Sequence, residues 1–504
     1  MSGAGRALVL IGFMGAGKTS AARTVAAELR TRPLDTDALI ERELGTSIEE
    51  WFATRGERAF RELEEEVVLR ALEQARGRDA VLALGGGAVA SERVQQALRE
   101  HTVVLLDVGA DAAWQRAGGR RPLARDRRRF DELHADRAPL YERLADAILP
   151  AARRDTIRRA LPHVRALPEG TKLLWAESAS GSYPVFVGDG LLATGFWPLA
   201  GRRFTVSDET VAGLYGPADA TFPAGERHKT LATVERVLRA MAAAGIDHDA
   251  HVAAVGGGVV GDVAGFCAAI YQRGIGVVQV PTTLVAQVDS AYGGKTGVDL
   301  PEGKNYAGAY HQPAAVVADP AALRTLPAAE LAAGWAEVVK TGLIAGGALW
   351  RRLTQQPPPP PADRDLIVAC ARTKLAVVAE DERDAGRRQA LNLGHTVGHA
   401  IETATRYERY RHGEAVGLGL LAALTLSRQP RLRAEVEELL AAQNLPTRLD
   451  PAVDLEAVAA AVGRDKKRRG GRVGFVLVDG PGEVRTGQPV EDADLRGALQ
   501  ELAR

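Results

Sequence analysis

The sequence predicts a multidomain α/β protein: a phosphate-loop domain on a parallel sheet, a second, Rossmann-like α/β domain, and an all-α C-terminal region. Short apolar runs such as RALVLI (6–11) and HVAAV (251–255) end in glycine-rich loops and precede helical stretches, the strand, loop, helix order of a parallel sheet. That pattern starts twice, near residue 6 and again near Tyr183, and 504 residues suffice for two or three cores. Beyond about Leu326 the strand signals give way to long Ala/Leu-rich segments of helical period.

Each element has its own signal. RALVLI leads into a turn over 12–17, a helix predicted over about Ser20–Arg30, and RPLDTD (32–37), which reads as a second strand. AVLAL (80–84) and TVVLLDV (102–108) extend the sheet. The segment 151–172 is basic, holds two prolines and lacks a strand signal, so a helix end and a linker are expected there. The boundaries become 1–158 for the phosphate-loop domain, 159–176 for the linker, 177–326 for the second α/β domain and 327–504 for the mainly helical part. YPVFVGDG (183–190), RRFTVSDE (202–209) and IGVVQVPTT (275–283) supply further strands, the proline run 357–361 a stiff connection, and GRVGFVLVDGPG (471–482) a return to strand and turn.

Basic and acidic residues number 64 each, so no global charge draws the chain to nucleic acid or membrane, and small charged metabolites fit better as partners. Cys267 and Cys370 lie far apart with no Cys-x-x-Cys pair, which argues against a disulfide framework and for a reducing cytoplasm. No apolar run approaches a membrane span, and the N-terminal one runs into a glycine-rich turn with no signal-peptide cleavage pattern. Only nine of the 64 basic residues are lysines, so a surviving lysine points to a compact ammonium that a guanidinium cannot imitate.

Gly12-Phe-Met-Gly15-Ala16-Gly17-Lys18-Thr19 has the phosphate-loop spacing G-x-x-x-x-G-K-[ST] between a strand and a helix. Gly15, Ala16 and Gly17, with Lys18, Thr19 and Ser20 after them, would bind a nucleotide: backbone N–H groups face the phosphates, Lys18 reaches the outer ones and Thr19 binds Mg²⁺. Asp35 and Asp37 are expected on one face of a strand end, one holding Mg²⁺ through water and the other accepting hydroxyls of the phosphate acceptor.

With GERAFR (56–61), GGGA (85–88), RPL (121–123) and RAPLY (137–141), the region 6–155 resembles shikimate kinase. The resemblance implies that Asp37, Arg61, Gly86 and Arg137 grip shikimate, that Asp35 and Thr19 serve Mg²⁺, and that Arg121 closes over ATP from a lid at 118–130. It makes Lys18 and Asp37 the catalytic pair. Arginines suit a carboxylate substrate, and a carboxylate suits a polyol. The alternative is a ligand-sensing module without turnover.

In the second half, Gly256-Gly257-Gly258-Val259-Val260-Gly261-Asp262 follows a strand and lets backbone approach a pyrophosphate. Arg273, Thr282, Thr283, Asp289, Lys295, Lys304 and Asn305 then crowd beside glycines. Downstream, Glu337 (GWAEVVK), His395 and His399 (NLGHTVGHAIE) and His412 (HGEAV) form a metal candidate. The i, i+4 histidines share a helical face, and two imidazoles plus a carboxylate make a catalytic-type Zn²⁺ site with open positions.

Together with PAGERHK (223–229), QRG (272–274) and DKK (465–467), these motifs resemble 3-dehydroquinate synthase over about 183–504, and seven of the nine lysines fall there. The resemblance implies Zn²⁺ (or Co²⁺) on Glu337, His395 and His412. It places NAD against Asp208, Glu226, Lys229, Gly257, Gly258, Val259, Asp262, Thr282, Thr283 and Lys304. A substrate pocket follows from Arg273, Asp289, Lys295, Asn305, Lys340, Lys374, Arg388, Asn392, His399 and one of Lys466 or Lys467, with His399, Asn392, Lys295 and Arg388 catalytic. The implied reaction turns 3-deoxy-D-arabino-heptulosonate 7-phosphate into 3-dehydroquinate and phosphate, with NAD⁺ borrowing and returning a hydride. Tyr292 and Asp384 depart from the residues usual in that family. Another sugar-phosphate cyclase or a metal-dependent polyol dehydrogenase is the alternative, and a homodimer through this half is left open.

Overall fold

The computed structural model describes residues 6–117, 126–153, 155–355, 363–468 and 474–504, with backbone alone at 464–468. Arg121 and the side chains of Lys466 and Lys467 lie outside the described residues. The chain forms two units, 1–175 and 176–504. Among the described residues no helix is long and apolar enough to cross a membrane.

The first unit is built on a parallel sheet in the order Pro33–Asp35, Val81–Ala83, Leu8–Ile11, Thr102–Asp107, Ala147–Pro150, joined by the start of Lys172–Glu177. Leu8–Ile11 is fully buried between two neighbours, which is why it reads as an unbroken apolar run. The helix after it is Lys18–Glu28, beginning two residues before the expected Ser20 and so placing Lys18 and Thr19 in its first turn.

Two expectations need correction. Asp37 does not sit on a strand: Asp35 ends the strand and caps the helix Thr36–Leu44, accepting from the N–H groups of Asp37 at 3.1 Å and Ala38 at 3.4 Å. An aspartate at a strand end is a strong helix N-cap, and here that preference outweighs strand continuation. Residues 159–176, expected as a linker, hold most of the helix Thr156–Arg165 and the strand Lys172–Glu177. Ile157, Ala160, Leu161 and Val164 recur at helical spacing and are buried, and Leu173 and Leu174 pair with Ala147 and Ile148. Pro162 hides this helix from a reading by composition. Lys172 is buried, and its Nζ donates to the carbonyls of Arg143, at 3.1 Å, and Ala145, closing the end of the helix Arg127–Leu144.

In the second unit six parallel strands run Ser182–Val187, Ala315–Ala318, Gly276–Pro281, His251–Gly256, Arg203–Asp208, Ala220–Phe222. The adjacent strands Arg203–Asp208 and His251–Gly256 lead on to neighbours on opposite sides, Ala220–Phe222 and Gly276–Pro281, and such a switch point opens a crevice at the carboxyl ends of the strands. The helix Gly258–Ile270 starts there. Beyond it come the helices Ala328–Ala345, Arg364–Glu380, His395–Ala404 and His412–Leu426. Three of them approach closely because Gly413 faces the Ala333 carbonyl and Gly419 the Gly394 carbonyl, at distances where a Cβ would clash with backbone. Phe475–Gly480 and Glu483–Gln488 form an antiparallel pair near the end, as the strand and turn signal predicts.

Two candidate active sites

In the first unit the phosphate loop curls around its own lysine: Lys18 Nζ donates to the carbonyls of Gly12 at 2.8 Å and Phe13 at 3.2 Å. Gly15 has φ 83°, and a Cβ there would stand 2.7 Å from the Ala113 carbonyl, so only glycine lets the loop pass. Thr19 Oγ1 donates to Asp35 Oδ2 at 2.6 Å, which brings the two residues expected to serve Mg²⁺ together. Beside them, the backbone of Gly85–Gly87 lies against Asp37, Glu64 and Arg61. A Cβ on Gly85 would meet Asp37 Oδ1 at 2.6 Å and Glu64 Oε1 at 2.7 Å, and one on Gly87 would collide with the Arg61 guanidinium. Arg137 and Tyr141 both donate to the Gly86 carbonyl, at 3.2 and 2.6 Å. Asp37, Arg61, Gly86 and Arg137 are therefore neighbours, as expected.

Glu64 was not singled out in the sequence. It lies on the helix Ile48–Ala75 one turn after Arg61, pairs with that guanidinium and is buried. Burial pushes its carboxyl pKa up, with nearby Asp37 adding to the rise and Arg61 opposing it. The i, i+3 spacing of Arg61 and Glu64 was the available signal.

In the second unit Glu337, His395 and His412 converge from three helices. Glu337 Oε1 stands 3.6 Å from His395 Nε2 and 3.5 Å from His412 Nε2. Donors about 2.1 Å from a tetrahedral metal are about 3.4 Å apart, so both separations from Glu337 suit a Zn²⁺-type ion. The His399 ring lies 5.3 Å from that of His395 and 5.8 Å from that of His412, with donor atoms of all three histidines within 4.8 Å of one another. Burial drives His395 down to about 3 and His399 down to about 4. His412 goes the other way, to about 9: burial opposes its charge, but Glu337 and Glu402 outweigh it. Glu337 is held well below the usual carboxylate range, since Lys340, His395 and His412 overcome its burial.

Next to this cluster Asp289 stands 3.6 Å from Lys340 and 3.0 Å from Lys374, while Lys340 also pairs with Glu337. Arg388 is fully buried and donates to the carbonyls of Gly293, at 2.9 Å, and Glu382; its Nε has no hydrogen-bond partner among the described residues. Lys295 pairs with Asp384 at 2.5 Å. Asn392 ends the short helix Arg387–Asn392 that begins beside Arg388.

The glycine triplet meets the crevice: a Cβ on Gly257 would stand 2.9 Å from Thr283 Cγ2, so backbone fills the space a side chain would take, as a dinucleotide cradle requires. Val259 follows in the first turn of the helix, and Thr282 is buried. Lys229 pairs with Asp262 at 2.5 Å and donates to Asn305 Oδ1 at 2.6 Å; Lys304 lies 3.6 Å from Glu226. Asn305, expected with the substrate, thus sits among residues expected with NAD. Asp208 is a helix cap, accepting from the Val211 N–H at 2.9 Å. Arg273 is exposed, and no ion pair joins it to this cluster among the described residues. Tyr292 is buried, its hydroxyl donating to the Gln287 carbonyl at 2.6 Å. Glu402, also not singled out in the sequence, is buried between His412 and Lys304.

Fold and side-chain arrangement define a phosphate-loop kinase joined to an enzyme of the dinucleotide- and metal-dependent cyclase and dehydrogenase type. Residues 14–164 match the family model for shikimate kinase, 219–333 that for 3-dehydroquinate synthase N-terminal and 334–468 that for 3-dehydroquinate synthase C-terminal. The 3-dehydroquinate synthase of Halorhodospira halophila is 47% identical over 342 residues, 63% of this chain and 96% of that protein. A 2-deoxy-scyllo-inosose synthase complexed with carbaglucose-6-phosphate, NAD+ and Co2+ superposes with a TM-score of 0.59 at 25% identity, over 66% of this chain and 99% of that one. The 2-epi-5-epi-valiolone synthase of Streptomyces hygroscopicus subsp. jinggangensis, with NAD+ and Zn2+ bound, gives 0.58 at 29% identity, over 64% and 96%. The chain belongs to the 3-dehydroquinate synthase family and carries a shikimate kinase domain ahead of it, a bifunctional kinase and lyase.

Proposed function

We propose that the first unit phosphorylates shikimate with MgATP, giving shikimate 3-phosphate, and that the second converts 3-deoxy-D-arabino-heptulosonate 7-phosphate into 3-dehydroquinate and phosphate. The observation that carries the second half is the group of buried cations, Lys340, Lys374 and Arg388, beside Glu337 and the histidines. So many buried positive charges suit a phosphorylated acid, whereas a polyol dehydrogenase binds a neutral substrate and has no use for them.

Lys18 binds the transferring phosphoryl group, and Thr19 with Asp35 would hold Mg²⁺. Arg61, kept in place by Glu64, and Arg137 hold the substrate carboxylate, while Asp37 accepts the proton of the attacking hydroxyl. In the second unit Glu337, His395 and His412 would hold a metal that would polarise substrate hydroxyls, and the crevice at Gly257 would hold NAD⁺, which would supply a transient hydride acceptor. Lys374 and Arg388 bind the anionic ends of the substrate, and Lys295, kept in place by Asp384, does the same from the rim. His399, neutral at physiological pH, takes and returns a proton, and Asn392 serves the same relay. A cytoplasmic location belongs to this proposal, supported by two free, buried thiols.

Two solved relatives are synthases of other products, 2-deoxy-scyllo-inosose and 2-epi-5-epi-valiolone, so another cyclase is the competing reading, and the 47% identity against 25% and 29% weighs against it. Assaying the intact chain for phosphate release from the heptulosonate, and separately for ATP-dependent phosphorylation of shikimate, tests both halves. Absence of either product overturns that half, and NADH accumulating with product would mark a dehydrogenase.

A further inference from the structure

Glu402 is a buried carboxylate that the reaction as proposed does not use. It lies seven residues after His395 on the helix His395–Ala404, and residues at that spacing share a helical face. Only 2% of it is exposed. One oxygen, Oε1, stands 3.4 Å from His412 Nδ1 and 3.1 Å from Lys304 Nζ. Its other oxygen, Oε2, is buried with no hydrogen-bond partner among the described residues. Lys304 in turn reaches Glu226 at 3.6 Å and lies 4.5 Å over the Tyr407 ring.

A carboxylate taken out of water is costly, and an apolar side chain would fill this place more cheaply were nothing gained. The gain follows from donor chemistry. A carboxylate only accepts, so beside it the proton that His412 keeps when a metal binds belongs on Nδ1, and Nε2, the nitrogen turned to Glu337, gives up its own proton and offers its lone pair to the metal. The same oxygen fixes the ammonium of Lys304, a residue expected against NAD. We propose that Glu402 is a positioning residue common to both cofactor sites, orienting His412 for the metal and Lys304 for the dinucleotide. The inference rests on the metal and NAD reading above.

The test uses the intact chain stripped with a chelator and its Glu402→Gln variant, which keeps the shape of the side chain and removes its charge. Co²⁺ and NAD⁺ are titrated separately by calorimetry. Expected is a loss of Co²⁺ affinity of about 10–100-fold, a loss of NAD⁺ affinity of roughly 10-fold, and a shift of the visible d–d bands of bound Co²⁺. That spectral shift is one that a merely structural role would not produce. Loss of one affinity alone overturns the sharing, and loss of neither overturns the positioning role. Wild-type chain that binds neither Co²⁺ nor NAD⁺ overturns the underlying reading instead. Should Glu402→Gln melt well below wild type, Glu402→Asp replaces it, with both affinities expected to fall less than in Glu402→Gln; an unchanged value of either overturns the proposal.

Discussion

In the first unit the arginines beside the glycine triplet stay partly open to water, Arg61 with 27% of its side chain exposed although its partner Glu64 is buried; in the second, Glu337, Lys340 and Arg388 are each 1% exposed. Charges open to water need no partner before a ligand arrives. Buried ones do, since removing one partner of a buried pair strands the other in a poorly polarisable interior. The second unit accordingly satisfies its cations with Asp289, Glu337 and backbone carbonyls, so that the residues expected to meet substrate also hold the unit together.

Loss of activity should be the largest effect and should separate the units. Lys18→Ala is expected to lower phosphorylation of shikimate by about 10³-fold, leaving phosphate release from the heptulosonate unchanged. His412→Ala is expected to do the reverse. A substitution in one unit that depressed both activities would break the independence of the sites. Stability should then separate the units again: Lys340→Met leaves Asp289 and Glu337 buried without their common cation and should cost about 3–5 kcal/mol in urea unfolding. Arg61→Met should cost less, about 1 kcal/mol, because Arg61 is partly solvated and water screens its pair with Glu64. Equal losses would contradict the contrast.

Legibility followed the same division. The phosphate loop, the glycine triplets and the histidine pair were readable because their chemistry demands fixed spacing along one or two elements. Asp37 lies on a helix and not on the expected strand, since the capping role of Asp35 lies in backbone geometry rather than in pattern. Glu64 and Glu402 carry no motif of their own because each touches another side chain of the site, and only the folded helix shows Glu402 between His412 and Lys304. The supposed linker was misread because Pro162 and many arginines masked an amphipathic helix. Lys172 gives that correction a test. A kinase fragment ending at residue 158 lacks its bonds to the carbonyls of Arg143 and Ala145, and Lys172→Met removes them in the intact chain. Each should destabilise the first unit, the point variant by roughly 1.5–3 kcal/mol, as read from the loss of kinase activity in urea. A fragment ending at 158 as stable as one ending at 175 would restore the linker reading.

The smallest expected effect is the pH dependence of the chelator-stripped protein. His395 titrates near 3 in the folded unit because burial disfavours its charge, against about 6.5 in an unfolded chain. Between those values the unfolded state binds more protons, so this stability is present above pH 6.5 and is lost as pH falls, by about 1 kcal/mol between 6.5 and 5.5. His399, lowered to about 4, acts in the same direction, but its side chain keeps more access to water and contributes less. His412, raised to about 9, acts oppositely: its stabilisation is complete below about 6.5 and is lost as pH rises through 9. In the first unit burial lowers His101 and His163, with no raised histidine beside them among the described residues, so that unit shares the acid loss without this alkaline one. Urea unfolding from pH 5.5 to 9, followed through each unit's own activity after refolding and metal return, reads the two profiles. A second unit whose profile is flat from pH 7 to 9 would show that His412 is not held as an imidazolium between Glu337 and Glu402, and the charge contrast between the units would lose its sharpest element.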